Sequence, residues 1–161
     1  MESLTPLLLT RESFAPFGEI IAPIPNNAPY GDQDVHLELY GPTVRFYVMT
    51  VAQGGNRITQ LTRHQRCTQC LGSVEGEPWW LIVAPPTGPD GVPTPEQVRL
   101  FHIPGALGVK LHVGTWHAGP LLAATRASGL FYNLELHDTN VSDRDCHELL
   151  SPVEAHLLSL P

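Results

Sequence analysis

The stretch from Gly108 to His117, GVKLHVGTWH, is the most informative part of this sequence. It predicts the end of one β-strand, a tight turn at Gly114, where glycine allows a left-handed backbone, and the start of the next strand at Trp116. A turn between His112 and His117 resets the alternation of side chains along the two strands. We therefore expect both imidazole rings to face one interior and to form part of a pocket.

Short strand signals continue on both sides of this hairpin. Sixteen prolines and fourteen glycines among 161 residues interrupt the chain too often for long helices, which favours many short strands joined by turns. Segments 23–34 and 85–97, rich in turn-forming residues, are predicted loops. Apolar patterning predicts strands at 35–40, 44–51, 67–74, 79–84, 98–103, 109–113, 116–123 and 129–136.

Helix signals occur near the two ends of the chain. Thr10 is a predicted N-cap for a short helix that ends by Pro16, and Ser151 with Glu154 forms a predicted capping box for a C-terminal helix. Eight or more short strands with a short helix near each end predict an all-β fold, a closed barrel or jelly roll. Because no internal repeat is visible, we expect residues 1–161 to form a single domain.

Charge and cysteine content narrow the class of protein. Nine basic residues against sixteen acidic ones give a formal net charge of −7, so neither nucleic acid nor an anionic membrane is an expected partner. No apolar run approaches the roughly 20 residues that cross a bilayer, and residues 1–5 lack signal-peptide features. Three cysteines do not make a disulfide framework, and Cys67 and Cys70 lack further partners for a zinc site. We expect a cytoplasmic protein.

A second histidine-containing stretch, Thr62 to Gln69, completes a known pattern. Cupins place two histidines one residue apart, then a carboxylate and a glycine, and later a Pro-x-Gly-x-x-His segment. In this chain His64, Gln69 and Gly76 stand at the positions of the second histidine, the carboxylate and the glycine, and residues 112–117 match the later segment. The sequence therefore resembles the cupin superfamily, which implies that the predicted barrel is cupin-like.

A narrower resemblance extends over most of the chain. The opening LTRESFAPFGEII at residues 9–21, the pairs at 63–64, 68–69 and 75–76, and the Trp-His pair at 116–117 resemble ureidoglycolate lyases, also called ureidoglycolate hydrolases. The resemblance implies cleavage of ureidoglycolate to glyoxylate and urea, a late step of allantoin and purine breakdown, by a homodimer. The chain departs from the family pattern at Thr62, where an acidic residue is usual, and at Ala118 and Glu135.

Histidine chemistry suits the reaction that the resemblance implies. Ureidoglycolate is a hemiaminal, so its cleavage needs a base for the hydroxyl proton and an acid for the departing urea nitrogen. Histidine serves in either role because its unperturbed pKa is near ~6.5. We assign His117 as the base or a metal ligand, with His112 or His64 as its catalytic partner. The competing interpretation of these residues is structural, as barrel histidines that hydrogen-bond to the backbone.

Three residues are assigned to substrate binding. Arg63 is a candidate for bidentate pairing with the substrate carboxylate, and Gln69 is a candidate for a hydrogen bond to the ureido group. Trp116, beside the proposed base, is expected to line the same pocket. The competing interpretations are a surface arginine at Arg63 and a plain buried hydrogen-bonding side chain at Gln69.

A divalent metal is conceivable at the cupin positions, where His64, Gln69 and His117 are the candidate ligands. The set is sparse because Thr62 occupies the first ligand position and a neutral amide replaces the carboxylate. We expect such a metal to be bound weakly or not at all, and no other cofactor is indicated.

Three functions are compatible with the sequence. The leading one is a ureidoglycolate lyase-like enzyme with a small-molecule substrate. The alternatives are another cupin enzyme acting on a different small acid, and a non-catalytic cupin barrel that binds a small molecule or a partner.

Overall fold

The computed structural model describes residues 2–161, which form twelve β-strands and two short α-helices. The helices are α1 (Arg11–Phe14) and α2 (Thr139–Ser142), and a single 3-10 turn spans Pro95–Gln97. The strands are β1 (Glu2–Leu4), β2 (Leu7–Leu8), β3 (Gly18–Ile21), β4 (Val44–Ala52), β5 (Arg57–Arg63), β6 (Gln69–Ser73), β7 (Trp79–Ala84), β8 (Arg99–Ile103), β9 (Gly108–Leu111), β10 (Trp116–Leu121), β11 (Ser128–Leu136) and β12 (Asp145–Ala155).

The strands form two curled sheets. A seven-stranded sheet has the order β1-β12-β5-β10-β7-β8-β2, and a five-stranded sheet has the order β3-β9-β6-β11-β4. Both sheets are mainly antiparallel, and the short N-terminal strands β1 and β2 add parallel edges to the larger one. This architecture confirms the prediction of an all-β, cupin-like barrel. No helix in the described part of the chain is long and apolar enough to cross a membrane.

Apolar side chains pack on both faces of the seven-stranded sheet. The continuous apolar sequence of β7, WWLIVA, is fully buried because its residues alternate between two cores. Trp79 and its alternate neighbours face the barrel interior, where Phe14 and Phe101 meet edge to face at 5.1 Å. Trp80 faces a second core on the outside of the sheet, covered by the terminal segments.

The predicted N-terminal helix is confirmed. Thr10 accepts a hydrogen bond from the Ser13 backbone N–H at 3.0 Å and caps α1. The loop predicted at 23–34 is free of regular strand or helix, whereas 35–40 is an extended segment with one isolated bridge, between Leu39 and Cys67, and not the predicted strand.

The predicted C-terminal helix is wrong. Residues around the Ser151 and Glu154 capping box belong to β12, which pairs with β5 on one side and β1 on the other. Neighbouring strands satisfy its backbone groups, and the sheet buries Val153 and Ala155, which outweighs a local helix signal. Pro152, which lacks an N–H, lies where the pairing of β12 with β5 shifts register.

Candidate active site

A polar cavity of about 390 Å³ opens at one end of the barrel interior. The strands β4, β5, β6, β10 and β11 contribute side chains to it, and the segment around α2 covers one side. Its polar lining consists of Tyr47, Gln60, Thr62, His64, Gln69, His117, Asn133, Asn140 and Arg144.

Two buried histidines face each other across this cavity. His117 lies on β10 beside Thr62 of β5, and His64 follows the end of β5. The ring centroids are 5.3 Å apart, and the residues are only 5% (His64) and 8% (His117) exposed. The structure therefore brings together two of the three histidines assigned from the sequence.

Backbone carbonyls set the tautomer of both rings. His64 Nδ1 lies 2.7 Å from the Asp143 carbonyl oxygen, and His117 Nδ1 lies 3.2 Å from the Thr115 carbonyl oxygen. A carbonyl accepts only, so Nδ1 carries the hydrogen in each ring, and Nε2 of the neutral ring keeps its lone pair. Each histidine thus offers one basic nitrogen to the cavity.

Burial keeps His117 unprotonated. Loss of water around the ring, together with the nearby charge that His64 acquires on protonation, lowers the pKa of His117 to about 4. At neutral pH its Nε2 is therefore available to take a proton.

Gln69, which lines the same cavity, carries a buried acceptor without a partner within residues 2–161. Its Nε2 donates to Asn133 Oδ1 and to Glu135 Oε2, each at 3.2 Å. The amide oxygen Oε1 is buried and has no hydrogen-bond partner among the described residues. Gln69, His64 and His117 line both the main cavity and a narrow gap beside it. The prediction that Gln69 belongs with the two histidines is compatible with this placement.

A buried carboxylate lies behind the cavity wall. Glu135, only 1% exposed, accepts hydrogen bonds from Tyr47 Oη at 3.1 Å and from Asn140 Nδ2 at 3.2 Å, in addition to Gln69. Burial and the neighbouring Glu135 charge raise the pKa of Tyr47, which stays a neutral donor. Sequence reasoning missed Tyr47, Asn133 and Asn140. Strand parity with Phe131 would have found Asn133 on β11, whereas the apolar alternation of β4 lies on its exposed outer face and predicts the wrong direction for Tyr47.

Arg144 is the positively charged residue that lines the cavity. It follows Asp143, whose carbonyl holds His64 and whose carboxylate accepts from the Gln65 and Arg66 backbone N–H groups at 2.8 Å. The Arg144 side chain is exposed and forms no hydrogen bond or ion pair within residues 2–161. No sequence motif marks it, since only the path of the chain after α2 brings it to the rim.

The assignment of Arg63 to the substrate carboxylate is corrected. Its guanidinium lies on the opposite face of the sheet from the cavity, is 2% exposed, and is held by Asp145 Oδ2 at 2.8 Å and Thr87 Oγ1 at 3.0 Å. Trp116, assigned as a substrate contact, stacks against that guanidinium at 4.4 Å and donates to Thr87 Oγ1 at 3.1 Å. Both precede a cavity histidine by one residue, and strand alternation turns them outward.

The assignment of His112 as the partner of His117 is also corrected. His112 continues the alternation of β9, so its ring turns outward with Lys110, whose Nζ lies 3.1 Å from His112 Nδ1. Its Nε2–H donates a hydrogen bond to the Ala15 carbonyl oxygen at 3.0 Å. It lines a separate cleft of about 240 Å³ with Arg11 and Glu19, and it also borders the narrow gap beside His64 and His117. The turn at Gly114 does not reset the parity as predicted.

The donor set at the cupin metal positions fits a resident divalent ion poorly. His64, His117 and Gln69 are all neutral donors, and the carboxylate of Glu135 is occupied by amide and phenol groups. Within residues 2–161 no three His, Cys, Asp or Glu side chains are grouped to hold a metal. The same three lone pairs suit a ligand that donates O–H and N–H hydrogen bonds.

Comparison with known proteins identifies relatives over most of the chain. A sequence model of the family described as ureidoglycolate lyase matches residues 32–157. The ureidoglycolate lyase of Azotobacter vinelandii is 30% identical, with 71% of this chain and 74% of the relative covered. Those of Pseudomonas aeruginosa and Stutzerimonas stutzeri are each 27% identical, covering 95% and 100% of this chain and 93% and 97% of the relatives.

Proposed function

This chain belongs to the ureidoglycolate lyase family, and we propose that the cavity around His64 and His117 is the site where it cleaves ureidoglycolate to glyoxylate and urea. The family makes it an enzyme with a small-molecule substrate. The observation that carries the proposed site is the buried pair of imidazoles, each with Nδ1 held by a carbonyl and Nε2 left for the cavity.

The reaction is a proton transfer at each end of one bond. The central carbon of ureidoglycolate carries a hydroxyl, a carboxylate and the ureido nitrogen. When the hydroxyl loses its proton, its electron pair forms the aldehyde C=O of glyoxylate and the C–N bond breaks. The C–N electron pair stays on nitrogen, which takes up a proton and leaves as urea, so the atoms balance without water.

We assign His117 as the base and His64 as the acid. The lowered pKa keeps His117 unprotonated, so its Nε2 accepts the hydroxyl proton. The two rings are 5.3 Å apart, so a proton on one disfavours a proton on the other. In the proposed reactive form one proton is on His64, which delivers it to the urea nitrogen. After cleavage the hydroxyl proton is on His117 and His64 has lost its own, and proton exchange restores the starting form.

Recognition uses the charged rim and the acceptor wall. Arg144, which has no partner among residues 2–161, is assigned to the substrate carboxylate in place of Arg63. Gln69 Oε1, a buried acceptor without a partner, is assigned to a ureido N–H. Filling that vacant acceptor with a donor removes the cost of about 1–3 kcal/mol of an unsatisfied buried group.

Turnover by the purified chain tests this function. We expect glyoxylate release from ureidoglycolate that persists within about twofold after dialysis against a chelator, because no step passes through a metal. His156→Gln serves as the control variant for His64→Gln and His117→Gln, because His156 is exposed and lines neither the cavity nor the gap beside it. The function is refuted by a pure protein that releases no glyoxylate with or without added divalent ions, and the assigned site by cavity variants that keep the wild-type rate.

A homodimer is proposed through the outer apolar face, defined as Leu37, Val44, Phe46, Val48, Leu130 and Tyr132 on the outside of the five-stranded sheet. Phe46 and Tyr132 stack at 5.7 Å yet remain 66% and 45% exposed. A contiguous exposed patch of this kind is typical of an interaction surface. Sedimentation of Phe46→Glu tests it: we expect a shift from dimer to monomer that Leu150→Glu, exposed elsewhere, does not cause. A wild-type monomer contradicts this proposal.

A cytoplasmic location stays a prediction.

A further inference from the structure

Four polar side chains that line the cavity, together with Glu135 behind them, form a hydrogen-bond network with a defined direction. Asn133 Nδ2 donates to Tyr47 Oη at 3.1 Å, and Tyr47 Oη donates to Glu135. Gln69 Nε2 donates to both Asn133 Oδ1 and Glu135, and Asn140 donates to Glu135 as well. Every donor of the network thus points, directly or through a neighbour, toward one carboxyl group.

Glu135 is the member that fixes this direction. Amide side chains offer a donor at one end and an acceptor at the other, so a network of amides and a phenol can run either way. An ionised carboxylate only accepts, and the three groups around Glu135 satisfy it as donors. The flipped orientation of Gln69 would place Oε1 against the Glu135 carboxylate, so Nε2 must face β11.

The orientation of Gln69 decides what the cavity recognises. With Nε2 held by Asn133 and Glu135, Oε1 remains buried, unpartnered and on the side of the amide away from β11. A buried acceptor in this position favours a ligand that donates there and disfavours one that presents a methyl group or another acceptor.

We propose that Glu135 is a positioning residue that, by holding Gln69 with Oε1 toward the ligand, makes the site select the terminal –NH2 of a ureido group. This inference rests on the proposed function for the class of ligand. Glu135 makes no contact with the ligand itself and acts through Gln69.

Replacing the carboxylate by an amide allows the whole network to reverse. In Glu135→Gln the new –NH2 donates to Gln69 Oε1, Asn133 turns its Nδ2 toward Gln69, and Tyr47 donates to Asn133 Oδ1. Each group keeps partners, but Gln69 now presents Nε2 to the ligand. The cavity keeps its shape, but Gln69 now offers the ligand a hydrogen-bond donor in place of an acceptor.

Two unreactive ligands distinguish whether Gln69 offers an acceptor or a donor. N-carbamoylglycine has the ureido group and carboxylate of the substrate but lacks the hydroxyl, so it cannot be cleaved. N-acetylglycine is the same molecule with –CH3 in place of the terminal –NH2. By calorimetry we expect the wild type to prefer N-carbamoylglycine by about tenfold and Glu135→Gln to reduce the preference to about twofold. Glu135→Asp, which still only accepts, restores it.

The controls separate positioning from folding and from catalysis. Glu77→Gln, the same change at an exposed site, keeps the tenfold ratio, and a melting temperature verifies that each variant is folded. The proposal is overturned if Glu135→Gln keeps the wild-type ratio, if Glu135→Asp loses it equally, or if the wild type shows no preference. A wild type that discriminates between the ligands but releases no glyoxylate contradicts the proposed function alone.

Discussion

The two ends of the barrel interior are built on the same strands and differ completely in chemistry. At the closed end, inward positions carry apolar residues such as Val51 on β4 and Phe131 on β11. Toward the open end, the same faces carry Tyr47 on β4 and Asn133 and Glu135 on β11. On β6, Leu71 faces the core and Gln69, two residues earlier, faces the histidines.

This contrast shows that depth along a strand, and not alternation alone, separates stability from function. Alternation decides which residues enter the barrel, and it does so equally at both ends. The closed end is apolar and packed by aromatic contacts, such as Trp79 with Phe131 at 5.2 Å. The open end holds buried polar groups, and the acceptor of Gln69 and Nε2 of the two histidines are left without protein partners within residues 2–161. The first end stabilises the scaffold that the second requires.

The largest expected effect is a loss of activity when His117, at the open end, is replaced. Replacing His117 with Gln removes the base, and we expect kcat to fall by about 10³-fold, within the range attributed to a positioned general base. The melting temperature should change little, because the side chain adds little to the apolar core. Steady-state glyoxylate release together with thermal unfolding measures both. A tenfold or smaller loss would show that another group takes the proton.

The next largest effect is a loss of stability when Phe101, at the closed end, is replaced. Phe101→Ala deletes a fully buried ring that contacts Phe14 and Phe17, so we expect a loss of about 3–5 kcal/mol in the free energy of unfolding. The kcat of the folded fraction should remain near the wild-type value because Phe101 does not line the cavity. Urea unfolding and active-site-normalised kinetics test this. A large fall in kcat at full folding would mean that the two ends are coupled.

A smaller effect is expected at the rim. Arg144→Gln removes the charge assigned to the substrate carboxylate, and we expect KM to rise about tenfold with kcat nearly unchanged, because one charge-assisted hydrogen bond is lost. Arg63→Gln provides the contrast: because Arg63 ties Asp145 to Thr87, it should lower the melting temperature more than it changes KM. Equal KM values for wild type and Arg144→Gln would remove Arg144 from the site.

The smallest expected effect is the pH dependence of activity and stability that the buried His117 causes. Because His117 must be unprotonated and its pKa is lowered to about 4, kcat/KM should hold as pH falls through 6 and decline only near pH 4. The unfolded state, whose histidine pKa is near ~6.5, binds the extra proton between these values, so stability should decrease as pH falls through that window. His117→Gln should weaken this pH dependence of unfolding. An acid limb near pH 6.5 would contradict the buried-base assignment.

Secondary-structure elements were predicted correctly where the sequence pattern that specifies them lies within one segment. The helix capped by Thr10 and the apolar strand β7 were predicted because their patterns lie within one segment. The C-terminal helix failed because β12 is stabilised by β5 and β1, which are remote in sequence. Among site residues, His64, Gln69 and His117 meet as predicted, whereas His112, Arg63 and Trp116 face outward.

The sequence alone determined the all-β barrel, through turn residues and apolar periodicity, and the family, through resemblance of its motifs, while it left open whether His64 or His112 is the partner of His117. Only the tertiary structure decided which neighbour of each motif residue enters the cavity, since one step along a strand reverses the direction of a side chain. It also brought Arg144 to the rim and Glu135 behind Gln69. Those contacts join residues that are far apart along the chain, and no local pattern encodes them.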